Sequence, residues 1–156
     1  MLRLSKLTDY GTVVMTALAR SPDEQRNAAE LAEGTRIAVP TVRKLLKRLT
    51  HQGLVESTRG AHGGYRLARA PEDISMADVI AALEGPIGLT ECAAHDGRCG
   101  IESECSLRGN WQIINHAIRE ALAGVTLAEM AGPMTDLRLR AETRRAANAP
   151  SAIDQL

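Results

Sequence analysis

The sequence predicts a mainly α-helical fold with one small β-hairpin, and two observations lead to this prediction. The chain contains no phenylalanine and only three aromatic residues, Tyr10, Tyr65 and Trp111, whereas pleated sheets favour aromatic and β-branched side chains. Apolar residues recur at helical spacing in several stretches, and one segment has the pattern of a hairpin. A length of 156 residues suits one domain with an appended element.

The N-terminal part of the chain predicts two helices before a turn. Residues 4–19 carry apolar side chains at helical spacing. Asn27 can cap a second, short helix, with Glu30 three residues on as its capping-box partner. A turn at Gly34 and Thr35 then leads into a third helix.

The third helix is strongly basic on one face. Pro40 suits its first turn, and Gly53 closes it as a C-cap residue. Its inward positions are apolar: Val42, Leu45, Leu46 and Leu49. Its outward positions include no acid: Thr41, Arg43, Lys44, Lys47, Arg48 and His51. Four Lys and Arg side chains are therefore expected on one short exposed surface.

A glycine-rich hairpin follows. Two short strands, Leu54–Thr58 and Tyr65–Ala68, are joined by a loop with Arg59 and His62 at its tip. This order of elements predicts a winged helix-turn-helix, whose third helix enters the major groove of double-stranded DNA while the hairpin wing reaches the backbone or the minor groove. Loop glycines allow close approach to phosphate. The predicted DNA-binding residues are Thr41, Arg43, Lys44, Lys47, Arg48, Arg59, Gly60, His62, Gly63 and Gly64.

The charge distribution agrees with a polyanionic partner. Residues 1–70 contain 12 Lys and Arg against 6 Asp and Glu, a net charge of +6, whereas residues 71–156 contain 7 against 13, a net charge of −6. The alternative is that the basic face serves packing or protein binding.

The C-terminal half predicts two further helices. One runs from about Ser75 and ends at Gly85, and a longer one runs from Ser106 to about Gly124. The longer helix carries an apolar stripe: Leu107, Trp111, Ile114, Ile118 and Leu122. We interpret the stripe as a homodimer interface, the alternative being that it packs on the first helix of its own chain.

The predicted division of the chain has four parts. Residues 1–85 form the winged helix-turn-helix DNA-binding region, and residues 86–105 form a cysteine loop. Residues 106–131 form the dimerisation helix region, and residues 132–156 form an Ala- and Arg-rich tail that we expect to be disordered. No apolar run approaches the roughly 20 residues of a membrane span, and a signal peptide is not indicated. The sequence thus predicts a cytoplasmic protein without a membrane partner.

All three cysteines, Cys92, Cys99 and Cys105, lie in one short segment with the spacing C-x6-C-x5-C. Cytoplasmic thiols stay reduced, so metal ligation or redox chemistry is favoured over disulfides. Zinc sites usually show tighter pairs of cysteines, whereas an iron–sulfur cluster accepts wider spacing. Redox-sensing thiols and free structural cysteines are the other readings. No pattern of nucleophilic catalysis accompanies the thiols, so an enzyme is not predicted.

The sequence resembles the Rrf2 family of bacterial winged-helix regulators, which includes iron–sulfur regulators. The resemblance rests on LRLSKLTDYG, the wing STRGAHGGYRLAR, the segment ISMADVIAALEG and the cysteine loop, and it extends to about Met130. ALEGPIGLTEC and CSLRGNW are most similar to the subgroup that regulates the SUF cluster-assembly operon.

This resemblance implies a homodimeric DNA-binding regulator controlled by a [2Fe–2S] or [4Fe–4S] cluster. The three cysteines occupy the family's ligand positions. Thr41, Arg43 and Lys44 fall where the family's recognition helix reads the operator, and Arg59 falls on its wing arginine.

Two departures from the family leave the fourth cluster ligand open. The first cysteine spacing is one residue longer than usual, and Arg108 replaces the histidine that some members use; a guanidinium cannot ligate iron. Asp9 matches the position from which the nitric-oxide-sensing branch supplies a carboxylate across the dimer. Other candidates are His95, Glu91, Glu104 and a small thiol.

The expected function is therefore that of a transcriptional regulator, and a repressor is favoured, acting on iron–sulfur assembly genes. A thiol-redox or nitric-oxide-responsive regulator of the same fold is the alternative. A cluster carrier or redox protein with an incidental basic domain is a further reading.

Overall fold

The computed structural model describes residues 4–60, 63–94, 99–101 and 103–133. Predictions for His62, His95 and the tail beyond residue 133 therefore lie outside the described residues. Within them the elements follow in the order α1 (Lys6–Ala19), α2 (Ala28–Thr35), α3 (Val39–His51), β1 (Val55–Thr58), β2 (Gly64–Leu67), α4 (Met76–Glu84), α5 (Glu91–Ala94), α6 (Arg108–Ala123) and α7 (Leu127–Ala131), with a 3-10 turn at Pro71–Asp73. This mainly helical fold with one two-stranded antiparallel sheet confirms the predicted fold class.

The core forms where α1, α3 and α4 meet. All four apolar positions predicted to face inward on α3 are fully buried: Val42, Leu45, Leu46 and Leu49. Helix α1 can approach its neighbours closely because Gly11 is at the crossing. A Cβ atom at this position would overlap the side chain of Leu83 on α4 and would lie 3.3 Å from Cδ2 of Leu45 on α3.

The helix-turn-helix forms as the capping signals predict, with one small difference. Asn27 Oδ1 accepts hydrogen bonds from the backbone N–H groups of Ala29 and Glu30, and Glu30 Oε2 accepts one from the N–H of Asn27. Helix α2 continues through Thr35, whose hydroxyl donates to the carbonyl of Leu31 at 2.6 Å. The left-handed residue of the turn is therefore Arg36, with φ of 58°, one residue after the predicted turn.

The wing is antiparallel and in register from Val55 opposite Leu67 to Thr58 opposite Gly64. Strand β1 begins one residue later than predicted and is one residue shorter, whereas β2 keeps the predicted length but begins and ends one residue earlier. Tyr65 exchanges two backbone hydrogen bonds with Arg26, at 2.9 and 3.1 Å. This pairing ties the wing to the start of α2, so the wing and the helix-turn-helix share one scaffold.

The C-terminal elements differ most from the sequence prediction. Helix α6 is two residues shorter than predicted at its N-terminus, and α5 was not predicted. The short helix α7 packs on α1, with Leu127 fully buried in the core. Backbone hydrogen bonds from Met76 N to Val125 O (2.8 Å) and from Leu127 N to Ile74 O (2.7 Å) join the chain after α6 to the start of α4. No helix among the described residues is long and apolar enough to cross a membrane.

Candidate nucleic-acid interface and cysteine segment

Helix α3 presents its basic face to solvent. The side chains of Arg43, Lys44, Lys47 and Arg48 are exposed, and Thr41 is half-buried at the start of the same face. The two ion pairs found within the described residues, Arg66 with Glu56 and Arg69 with Asp78, involve none of these cations. Their charge is therefore available to a polyanion. The face has the composition of a helix that enters the major groove.

The wing adds a further cation, Arg59, and a glycine-rich loop. Arg59 and Gly60 are exposed beyond the end of β1. Gly60 has a φ of 117°, which a residue with a side chain rarely adopts. A Cβ atom on Gly63 would overlap the carbonyl oxygen of Thr58, and one on Gly64 would lie 3.1 Å from the backbone of Arg26. The loop glycines are therefore needed for the wing to close.

The cysteine segment places its three thiols in different surroundings. Cys92 lies on α5 and is 7% exposed, and its Sγ lies 3.2 Å from the hydroxyl of Thr90. Cys99 and Cys105 are half-buried, and all three cysteines are free of disulfides. Within the described residues of one chain, no three His, Cys, Asp or Glu side chains are grouped closely enough to hold a metal ion.

The donor set nevertheless has the chemistry of an iron–sulfur site. Three free thiols lie within fourteen residues, and thiolates are the usual ligands of such clusters. Two of the candidate fourth ligands on the segment, Glu91 and Glu104, are exposed. The donor atoms present are therefore of the types that ligate an iron–sulfur cluster.

Asp9, the other candidate fourth ligand among the described residues, lies away from the cysteine segment in sequence. It is exposed in the first turn of α1. Together with Leu4, Lys6 and Tyr10, it lines an open surface cavity of about 420 Å³. The Lys6 ammonium lies 5.5 Å from the centre of the Tyr10 ring. An exposed carboxylate here is open to approach by another chain.

Helix α6 leaves much of its apolar stripe uncovered. Leu107 is 54% exposed, Trp111 is 37% exposed and Ile114 is 45% exposed. Ile118 and Leu122, further along the helix, line a cavity of about 310 Å³ with residues of α4 and the 85–89 loop. Within the described residues, α6 packs mainly on α4 and α5. The alternative that the whole stripe is buried against α1 of the same chain is therefore not observed.

One buried polar residue at the site was missed by the sequence analysis. Asn115 is the buried residue of α6, with 5% of its surface exposed. Its side chain bonds to the backbone on both sides of Cys92, at Ile87, Leu89 and Ala93. A signal existed, because Asn115 follows Trp111 by four residues and precedes Ile118 by three, which places an amide among apolar positions.

Comparison with known proteins agrees with this geometry. The profile of the Rrf2 family, described as "Iron-dependent Transcriptional regulator", matches residues 4–133. The HTH-type transcriptional regulator NsrR of Bacillus subtilis is 34% identical over 124 residues, which cover 78% of this chain and 83% of that protein.

Two solved structures are also similar. CymR, described as the global cysteine regulator of B. subtilis, superposes with a TM-score of 0.66 and 31% identity, over 84% of this chain and 97% of that one. IscR of T. potens superposes with a TM-score of 0.62 and 30% identity, over 92% of this chain and 91% of that one.

Proposed function

The chain belongs to the Rrf2 family of DNA-binding transcriptional regulators, which are not enzymes, and we propose that it represses iron–sulfur cluster assembly genes under the control of its own cluster. The observation that carries the proposal is the exposed basic face of α3 beside the wing, on a chain whose three thiols lie in one segment. The regulator acts in the cytoplasm, and its genes are those of the SUF system, which the cysteine-segment motifs favour.

DNA binding uses α3 for the bases and the wing for the backbone. The residues assigned to this surface are Thr41, Arg43, Lys44, Lys47, Arg48, Arg59, Gly60, His62, Gly63 and Gly64. Cations on α3 neutralise phosphates, which releases counterions and makes the affinity depend on salt. Side chains near the start of α3, led by Thr41 and Arg43, reach base edges in the major groove.

The regulator works as a homodimer through α6. The exposed side chains of Trp111 and Ile114 form an apolar surface that water disfavours. Pairing this surface with its copy around a twofold axis would bury both and would set the two α3 helices against two operator half-sites.

Cys92, Cys99 and Cys105 would hold the cluster, and Asp9 of the partner subunit would supply the fourth ligand. When bound, an iron–sulfur cluster supplies a centre whose presence reports on iron, oxygen or nitric oxide. The chain's own contribution is to deliver three soft thiolate donors from one segment and to keep one of them, Cys92, largely out of water.

The proposal is tested on anaerobically purified protein by iron and sulfide analysis, visible absorbance and operator binding. Duplexes selected by the protein from a random library serve as the operator. We expect Ala at all three cysteines to abolish the absorbance and to change the operator affinity. Equal affinities of the cluster-loaded and cluster-free wild type would reject the switch. A normal cluster spectrum in Asp9→Ala would dismiss Asp9 as the fourth ligand.

A thiol-responsive regulator of the same fold is the second candidate. Two observations favour it: Cys99 and Cys105 are only half-buried, so an oxidant can reach their thiols, and three ligands do not converge within the described part of one chain. In that case the protein would contain no sulfide, and mild oxidation of the thiols alone would change DNA affinity.

A further inference from the structure

Asn115 is a buried amide whose hydrogen-bonding groups are all used by one neighbouring segment. Its Nδ2 donates to the carbonyl of Ile87 at 3.1 Å and to the carbonyl of Ala93 at 3.3 Å. Its Oδ1 accepts from the N–H of Leu89 at 3.3 Å. A primary amide has two donor hydrogens and one acceptor oxygen. Both hydrogens and the oxygen of Asn115 therefore bind the backbone of residues 87–93.

These contacts bracket Cys92 in sequence. Two of them hold the chain before the cysteine, and the third holds the carbonyl directly after it. Close packing supports the same arrangement, because a Cβ atom on Gly88 would overlap the backbone of Ala94. The thiol of Cys92 is thus placed by a side chain of α6.

Helix α6 is itself joined to the DNA-binding elements at its other end. The residues that follow α6 are hydrogen bonded to the start of α4: the N–H of Met76 donates to the carbonyl of Val125, and the N–H of Leu127 donates to the carbonyl of Ile74. Helix α7 then packs on α1. A continuous series of hydrogen bonds and packed elements therefore leads from the segment of Cys92 through α6 to the helices that support α3.

We propose that Asn115 is a positioning residue that fixes Cys92 to α6 and links the state of this thiol to the DNA-binding helices. The link to DNA rests on the proposed function, because it assumes that the state of Cys92 controls operator binding. The positioning of Cys92 does not depend on any cluster. Loss of the Asn115 side-chain amide would leave two backbone carbonyls and one N–H without their partner in a buried site. The segment of residues 87–93 would therefore open more often.

The first experiment measures alkylation of each cysteine in the cluster-free protein by iodoacetamide, with peptide mass spectrometry. We expect Asn115→Ala to speed the labelling of Cys92 by about tenfold or more, since each unpaired buried polar group favours opening. Labelling of Cys99 and Cys105 should change by less than about twofold. The matched control is Asn110→Ala, an exposed asparagine of the same helix, which should label like wild type.

A second variant separates hydrogen bonding from packing. Asn115→Leu keeps the branching at Cγ and the number of side-chain heavy atoms but makes no hydrogen bonds. If Asn115 only fills space, this variant labels Cys92 at the wild-type rate. The proposal instead expects faster labelling, at urea concentrations where unfolding curves show that both variants remain folded.

The third measurement is the ratio of operator affinities between cluster-loaded and cluster-free protein. The proposal expects this ratio to move toward one in Asn115→Leu, with DNA binding retained, and to stay at the wild-type value in Asn110→Ala. Wild-type labelling of Cys92 in the Asn115 variants, or an unchanged affinity ratio, would overturn the proposal. If wild type assembles no cluster, the proposed function fails, and the labelling rates still decide whether Asn115 positions Cys92.

Discussion

Glu84, the last residue of α4, is held at the N-terminus of α1. The N–H of Ser5 donates to Glu84 Oε1 at 2.7 Å. Hydrogen bonding from the Thr8 side chain, reinforced by the backbone of Ser5, lowers the pKa of Glu84 below its usual value of 4.5. A carboxylate at this position also meets the positive end of the helix dipole.

The lowered pKa predicts a pH-dependent contribution to stability. A carboxyl group with a depressed folded pKa stabilises the fold above its unfolded pKa, and this contribution is lost as the pH falls through the folded pKa. We expect wild type to exceed Glu84→Gln in free energy of unfolding near neutral pH, with the difference shrinking below about pH 4.5. Urea unfolding of both proteins from neutral to acidic pH measures this difference in free energy of unfolding. Glu33→Gln, at an exposed position, is the control. A difference independent of pH would contradict the assignment.

Gly11 lies where α1 packs closely against α4 and α3. A Cβ atom there would overlap the Leu83 side chain and press on Leu45, both of which are buried. We expect Gly11→Ala to lower the free energy of unfolding by about 1–3 kcal/mol of overpacking, offset in part by about 1 kcal/mol of helix propensity. The matched control is Gly109→Ala on α6, where nothing lies within 4 Å of the added Cβ. Denaturant unfolding that shows equal effects would refute this packing argument.

At the scale of elements, the amphipathic pattern of α3 was enough to predict its two faces. Every position predicted to be apolar and inward is buried, and the four cations are exposed. The prediction succeeds because the period of a helix fixes which side chains share one face, and α3 packs with one face against a single core. The same reasoning did not predict α5 or the separate α7, because a four- or five-residue helix has too few turns to show a period.

The exposed cations of α3 predict the salt dependence of DNA binding. Because each phosphate contact releases counterions, we expect Lys44→Ala to reduce the slope of log affinity against log salt by about 1 and to weaken binding to all sequences. Arg119→Ala, an exposed cation on α6, is the control and should leave the slope unchanged. Salt titration of a labelled duplex makes the comparison. A wild-type slope near zero would instead favour the reading in which the basic surface does not bind DNA.

At the scale of the whole molecule, the uncovered stripe on α6 predicts self-association. We expect Ile114→Glu to convert a dimer to a monomer in sedimentation experiments, since burying a carboxylate in an apolar interface is costly. Gln112→Glu adds the same charge at an exposed neighbouring position and should remain dimeric. Circular dichroism reports whether both variants keep their helices. A dimeric Ile114→Glu protein would place the interface elsewhere.

The sequence by itself determined the elements whose signals are local. The capping box at Asn27, the start of α4 near Ser75, the buried stripe of α3 and the antiparallel wing were predicted from residues a few positions apart. Their hydrogen bonds and periodic faces form within one segment, so a single sequence contains the necessary information.

Only the tertiary structure decided the contacts between distant segments. Leu127 is buried in the core beside α1, and the absence of a side chain at Gly11 lets α4 pack closely on α1. Asn115 donates to and accepts from the backbone on both sides of Cys92. Each of these contacts joins residues separated by more than 20 positions along the chain. The spacing of residues within one element does not indicate which distant element it will pack against. The cysteine spacing likewise predicted soft metal ligands, while the fold decided that Cys92 is buried under α6.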